Sequence, residues 1–290
     1  MNETIKPETE FTREPSAAAQ RRMLSRHGEP LLLAGWHRAL MLHFEVEAKA
    51  LQRGVPFEVD LRDGRAFVSL VAFTMRGMRP RAGGQLAALL LRPIATHDFL
   101  NVRTYVRHGS ECGIHFLAEW LTNRLAVMLG PTTFGLPYHH GGIKYEHNFE
   151  EGLLAGEVRD GKNEAKLKYR ARLNLDCDAR PLTLPSPPMG AREIQTPALG
   201  PIPRFQPCIA GSLDEWLMER YTAFNSANGR RRFFRVWHPP WPQCTVEAAV
   251  EDRSLITKEW PWFTDAHLAG ANFSPGFDEV WMGRPHVLGS

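Results

Sequence analysis

Ten residues, Thr133 to Gly142, hold one phenol, two imidazoles and three glycines. The Tyr138 hydroxyl and the His139 imidazole can each donate or accept a proton, so the pair is a candidate catalytic acid and base for an enolisable substrate. The same stretch suits a metal less well. Adjacent His139 and His140 point to opposite faces of an extended segment, and Glu146 and His147 add donors without a recognised ligand spacing, so no metal ion is expected.

A second set lies on Phe99 to His108, which alternates strictly. Val102, Thr104 and Val106 point one way; Asn101, Arg103, Tyr105 and Arg107 point the other. Arg103 and Tyr105 are two residues apart and project together, and a guanidinium there can clamp a carboxylate through two parallel hydrogen bonds. Asn101, with His115 and Glu119 of the following segment, completes the candidate ligand-binding set. The competing assignment is structural, with Arg103 in an ion pair with Glu119 and Tyr105 packed in a core. The pocket is favoured because a buried arginine otherwise needs its charge compensated at considerable cost.

These side chains need rigid strands to position them. Leu31 to Phe44 reads as a strand and its approach, Glu47 to Gln52 as a short helix ending at Gly54, and Ala66 to Met75 as a central strand entered from an Asp63-Gly64 turn. Gly113 to Trp120 pairs with the Phe99 to His108 strand across a turn at Arg107 to Glu111. Thr122 to Leu129 is expected to be a helix closed by Gly130-Pro131, since proline cannot continue it. Two strands flank the Arg159-Asp160-Gly161-Lys162 turn. A proline-rich loop follows at about 178–207, and Ser212 to Glu215 has the form of a capping box opening a helix to about Phe224. Arg232 to Val236 and Thr245 to Val250 read as paired strands. Residues 1–24 read as a flexible leader, in which Ser16 to Leu24 can form a short helix, and 25–290 as a single domain.

Composition narrows the function. A chain of 290 residues can bury a large core, and its 35 basic residues nearly balance 32 acidic ones, leaving a net charge of +3 that exerts no long-range pull on a polyanion. Nucleic acid is therefore not an expected partner, and the basic-aromatic run Arg230 to Arg235 is read as a solvated turn entering a strand. The segment His238-Pro239-Pro240-Trp241 is read as a rigid strand end whose tryptophan covers the mouth of the fold. Cys112, Cys177, Cys208 and Cys244 are too far apart for a zinc knuckle or redox pair and are read as packing thiols. Met1 to Ser16 lacks the apolar core of a secretory signal, and no apolar run approaches the ~20 residues that span a bilayer, so a cytoplasmic protein without a membrane partner is expected.

Six stretches taken in order resemble the DUF2071 or YqjF-like family of the acetoacetate decarboxylase-like superfamily. They are Ala66 to Phe73, Asn101 to Val106, Gly113 to Phe116, Leu136 to Tyr138, Glu219 to Tyr221 and His238 to Pro242. Asn-Val-Arg-Thr-Tyr-Val is the most specific. The resemblance implies a mainly β (α+β) fold, a curved antiparallel β-barrel with a few peripheral helices around a small-molecule cavity. One departure is Phe99, where family members commonly carry a glutamate two residues before the asparagine. In the superfamily's decarboxylases the segment at Pro137 resembles Tyr-Pro-Lys-Lys, whose first lysine forms a Schiff base with a β-keto acid while the second depresses its pKa. Here the corresponding residues are Tyr138 and His139. Only seven lysines occur in the whole chain, and the nearest, Lys144, lies seven residues past Pro137.

The expectation is a barrel that binds a small oxo-acid or other carbonyl or carboxylate compound, without a cofactor and with oligomerisation possible. The alternatives are a lyase, hydratase or isomerase using Tyr138 and His139, and an interaction module docking through the proline-rich loop.

Overall fold

A computed structural model describes residues 14–149, 151–173, 205–227 and 229–288. Helix α1 (Ser16–Leu24) precedes strand β1 (Leu32–Val46), helix α2 (Ala48–Gly54), β2 (Glu58–Val59), β3 (Ala66–Pro80) and α3 (Gly84–Leu91). A short 3-10 turn (Arg92–Ile94) leads to β4 (His97–His108), β5 (Glu111–Leu121), α4 (Arg124–Phe134), β6 (Tyr138–Asn148), β7 (Leu153–Asp160) and β8 (Lys166–Leu173). Beyond the proline-rich segment come α5 (Leu213–Met218), β9 (Thr222–Ala227), β10 (Arg230–Trp237), β11 (Cys244–Asp252), α6 (Ser254–Glu259), β12 (His267–Met282) and β13 (His286–Val287).

Five long strands in the order β12-β1-β3-β4-β5 form the centre, all antiparallel. The pairings continue from β5 through β6, β7, β8 and β11 back to β12, so the sheet closes on itself. A second, smaller layer of β9 and β10 joins β5 and β12 on the other side. Alternation gives each central strand two apolar faces. Leu40, Leu42, Phe44, Val68, Leu70, Val102 and Trp120 point into the closed ring, where Leu154, Leu167 and Tyr169 meet them. Met41, Phe67, Val71, Phe99, Tyr105 and Phe116 point the opposite way, beneath Trp216, Leu217, Phe234 and Trp241. We call these the ring face and the covered face.

Local signals explain several boundaries. Asp63 and Gly64 both have positive φ, 52° and 73°, as a two-residue hairpin turn requires, and the Arg62–Arg65 bridge closes it. Glu47 caps α2 by accepting from Lys49 and Ala50 amides, and the Ser212 hydroxyl accepts from Glu215 N (3.2 Å) at the start of α5.

Ser16–Leu24 forms the short helix its sequence allows, and it sits against β10: Ala19 and Met23, four apart on one face, are buried, and Trp237 Nε1 donates to the Ser16 carbonyl (3.0 Å). Three expectations are corrected. Helix α4 does not stop at Gly130-Pro131. It runs through Pro131 to Phe134 and ends at Gly135 in the left-handed region (φ 69°), because the missing proline N–H removes one bond while a glycine before it relieves the clash. Helix α5 ends at Met218 rather than near Phe224, since Glu219 is drawn away to accept from Trp241 N (2.8 Å) and Tyr221 Oη (2.5 Å). Strands β10 and β11 do not pair: Pro239, Pro240 and Pro242 separate them, and β11 crosses to β8 instead.

Gly276 shows how tightly β1 and β12 meet at a bulge. Its φ is +97°, and a Cβ there would stand 1.8 Å from the Trp36 carbonyl oxygen, a backbone atom that cannot rotate away. Gly276→Ala is expected to cost about 3 kcal/mol or more, lowering Tm by roughly 6 °C or more, whereas Gly142→Ala, whose Cβ meets nothing within 4 Å, should cost under about 1 kcal/mol. Equal melting temperatures for the two variants would contradict this close approach.

Candidate functional site

The polar residues of β4 do lie on one face, and that face is the covered one. Asn101 pairs with Val71 on β3 and Arg103 with Ser69, and Tyr105 lies one alternation further along the same face. On the other side, β5 carries a bulge between Ala118 and Phe116, so that Asn101 stands opposite Glu119 while Arg103 stands opposite Phe116. The bulge decides which residues belong to the site. On an unbroken strand His115 and Glu119 would share a face; the extra residue, Leu117, turns Glu119 to the covered side and leaves His115 on the ring side. There His115 packs on Phe57 (5.5 Å between rings), with Nδ1 3.0 Å from the Phe224 carbonyl. His115 thus packs in the ring core, away from the face that carries Asn101, Arg103 and Glu119.

The same parity separates Tyr138 from His139. Strand β6 runs parallel to β5 with Tyr138 beside Glu119 and His139 beside Trp120. Tyr138 meets Phe99 on the covered side (6.1 Å between rings), and Gly130 of α4 leaves room for its ring, since a Cβ there would come within 2.0 Å. His139 is exposed and stacks on the Trp120 indole (5.3 Å, 27°). The acid and base expected of Tyr138 and His139 therefore face opposite ways. His147, counted with them as a possible metal donor, is fixed between the Arg38 carbonyl and the Tyr169 hydroxyl, each 2.8 Å away.

What converges on the covered face is a set of buried polar groups, three of which leave atoms unpartnered. Among the described residues nothing hydrogen-bonds Asn101 Oδ1, Arg103 Nε or Glu119 Oε2, though these residues are 7%, 6% and 3% exposed. Asn101 and Glu119 are directly opposite, about 5 Å apart at Cβ, and Arg103 is one alternation along. Burial alone pushes the Glu119 carboxyl up to about 8, so it is neutral at pH 7. No carboxylate among the described residues forms an ion pair with Arg103, which ends the structural assignment of an Arg103–Glu119 pair; burial depresses its pKa, opposed by Tyr105. The Tyr138 phenol is raised well above its ordinary value, by burial first and by Glu119 second.

Arg103 is held from behind by a chain of hydrogen bonds. Burial, and then the charge of Arg103, lower His43 to about 3, so its imidazole is neutral. With the proton on Nε2 it donates to Asn272 Oδ1 (3.1 Å), and Nδ1 accepts from Ser69 Oγ (2.7 Å). Ser69 Oγ lies 2.5 Å from Tyr105 Oη, the phenol donates to the Leu217 carbonyl of α5 (3.0 Å), and its oxygen receives Arg103. Asn272 Nδ2 continues to Gln243 Oε1 (2.7 Å). The same Leu217 carbonyl accepts from Arg103 Nη2 at 3.4 Å. The guanidinium is thereby anchored by one edge, leaving Nε–H directed elsewhere. His43 and Ser69 carry no motif in the sequence, and neither does His97, whose buried ring packs at a tilt on Phe99 (4.6 Å, 33°). Their only signal was a polar side chain inside an otherwise apolar strand.

Comparison with known proteins agrees with this architecture. The model of DUF2071, described as an uncharacterized conserved protein, matches residues 33–275. The chain belongs to the DUF2071 family. The uncharacterized protein YqjF of Bacillus subtilis (strain 168) is 27% identical over 234 residues, covering 80% of this chain and 79% of that one. Among solved structures, acetoacetate decarboxylase from Legionella pneumophila aligns with a TM-score of 0.56 at 12% identity, over 89% of this chain and 87% of that one. The enduracididine biosynthesis enzyme MppR complexed with pyruvate aligns with a TM-score of 0.54, also at 12% identity, over 91% and 93%. The fold is therefore that of acetoacetate decarboxylase-like proteins. In this DUF2071 chain the positions following Pro137 carry no amine, and Lys144 points to solvent opposite Glu157.

The neutral Glu119 makes stability depend on pH. Its folded pKa of about 8 lies above the ordinary 4.5, so between those values the folded chain keeps a proton that the unfolded chain releases. The contribution is complete below pH 4.5 and is lost as pH rises to about 8, roughly 3 kcal/mol by pH 7. Glu119→Gln is expected to raise stability at pH 7 by an amount of that order and to flatten the denaturation midpoint across this window. A variant with the wild-type pH slope would show that Glu119 is ionised in the fold.

Proposed function

We propose that this chain binds a small organic carboxylate of the 2-oxo-acid type on the covered face, with Arg103 as its charge partner and Asn101 and Glu119 as further contacts. The observation that carries the reading is that Asn101 Oδ1, Arg103 Nε and Glu119 Oε2 are buried, adjacent on one face and unpartnered. Buried polar atoms are rarely left so, and an unpaired cation is the costliest of them. A carboxylate compensates Arg103; the Glu119 hydroxyl and the Asn101 amide, turned over, can both present hydrogen to a keto oxygen. Tyr105 orients the guanidinium from behind. The complex of MppR with pyruvate supports the reading by analogy of fold. With Tyr138 and His139 in place of the lysine pair, no imine forms at these positions.

One observation favours a second reading, an enzyme of lyase, hydratase or isomerase type. Glu119, poised near neutrality, stands beside Tyr138, so the acid and base would be Glu119 and Tyr138, with His139 excluded by its direction. Docking through the proline-rich loop at 178–207 rests on residues of which 178–204 lie outside those described.

Thermal-shift titration with pyruvate and related carboxylates tests the binding. The wild type should gain several degrees in a saturable manner, and Arg103→Ala and Arg103→Lys should lose at least tenfold in affinity, since a lysine cannot reproduce the planar fork. Binding should weaken above pH 8 as Glu119 ionises beside the ligand. Tyr138→Phe should bind like the wild type and abolish any turnover the wild type shows. Identical ligand responses in wild type and Arg103→Ala would remove the basis for the site.

A further inference from the structure

Helices α3 and α4 carry exposed apolar side chains. Leu86, Leu89 and Leu90 of α3 are 71%, 59% and 74% exposed, and Leu125, Met128 and Leu129 of α4 are 40%, 66% and 42% exposed. Both triplets follow the i, i+3, i+4 spacing of one helix face. No residue of α3 is buried, although seven of its eight residues, all but Gln85, are Gly, Ala or Leu. The start of α4 touches the 3-10 turn that follows α3, where Asn123 Nδ2 donates to the Pro93 carbonyl (2.6 Å). Beneath α3 lies an open groove of about 450 Å³, lined by Met78, Ala88, Leu89 and Ala95 with Arg79 and Arg92 at its edges.

The two segments that carry these helices contribute charges of one sign. No Asp or Glu occurs between Gly64 and His97 or between Trp120 and Tyr145, although the chain carries 32 acids. Arg76, Arg81, Arg92 and Arg124 are exposed in these two segments, and Arg79 is paired with Glu279 of β12 (3.4 Å). A second copy of the chain placing this face against itself would bring like charges together. An anionic lipid surface has the opposite character: phosphates for the arginines, and an acyl layer for the leucines.

We propose that the α3–α4 face docks on the surface of an anionic lipid bilayer, with the leucines of both helices entering the acyl boundary and Arg81, Arg92 and Arg124 contacting headgroup phosphates. The groove under α3 accommodates a segment of acyl chain. The contact is peripheral. Among the described residues no helix is long and apolar enough to cross a membrane, and a surface contact needs none. It is independent of ligand binding on the covered face.

Co-sedimentation of the full chain with vesicles tests it. Binding is expected to phosphatidylcholine vesicles containing 30% phosphatidylglycerol and not to phosphatidylcholine alone, weakening in 0.5 M salt. The Leu86→Ser/Leu90→Ser variant should lose binding at least tenfold, and Arg92→Glu should weaken it by at least an order of magnitude, at about five-fold per unit of charge. Circular dichroism of both variants should match the wild type, because all three residues are exposed. Absence of sedimentation with any vesicle overturns the proposal, as does binding equal across the variants. A concentration-dependent dimer abolished by the serine variant, without vesicle binding, would assign the face to self-association instead.

Discussion

A guanidinium fixed in the middle of a packed sheet face, with no carboxylate among the described residues paired to it, is the constraint around which the rest of this molecule is arranged. Burying an unpaired ion costs several kcal/mol even after relaxation, and the fold offsets that only with dipoles: the Leu217 carbonyl and the Tyr105 phenol. Glu119 lies on the same face and does not neutralise the charge. Burial alone accounts for its raised pKa, with no contribution from Arg103. A cation and a neutral acid side by side are what the proposed anion site requires, whereas an ion pair between them would leave it nothing to bind.

The supporting elements serve that arrangement. The bulge at Leu117 brings Glu119 opposite Asn101, and the early end of α5 lets its last carbonyls meet Arg103 and Arg220. Arg220 stacks on Trp216 (4.3 Å) and pairs with buried Asp60 (3.0 Å), so the second arginine near the site is already compensated. The hydrogen-bonded chain of Gln243, Asn272, His43 and Ser69 ends on Tyr105, whose phenol receives Arg103 and so supports the guanidinium from behind. The ring side of the sheet is packed with its own core, including Phe44, Trp120 and Tyr169, and that core supports the covered face from behind.

Strand alternation was legible in the sequence, and it placed Asn101, Arg103 and Tyr105 together. It failed where one residue altered the parity. His115 and Glu119 share an odd-numbered pattern, yet the bulge sends them to opposite faces, and a bulge leaves no mark in residue types. His139 has the chemistry of a base, but adjacency to Tyr138 in an extended segment places the two on opposite sides. The reach of α4 past Pro131 and the end of α5 at Met218 were set by tertiary contacts, Tyr138 against Gly130 and Glu219 against Trp241 N, that no local rule contains. Strand β12, the longest in the sheet with 16 residues, and the relay formed by His43, Ser69 and Asn272 emerge only once β1, β3 and β12 are aligned.

A crystal structure of the protein soaked with a brominated 2-oxo acid is the most direct measure of the central claim. The account expects anomalous density on the covered face, with a carboxylate oxygen within hydrogen-bonding distance of Arg103 Nε and the bromine near Tyr138 or Phe99. Ligand bound elsewhere, or Arg103 Nε engaged by a carboxylate of the protein itself, would contradict it.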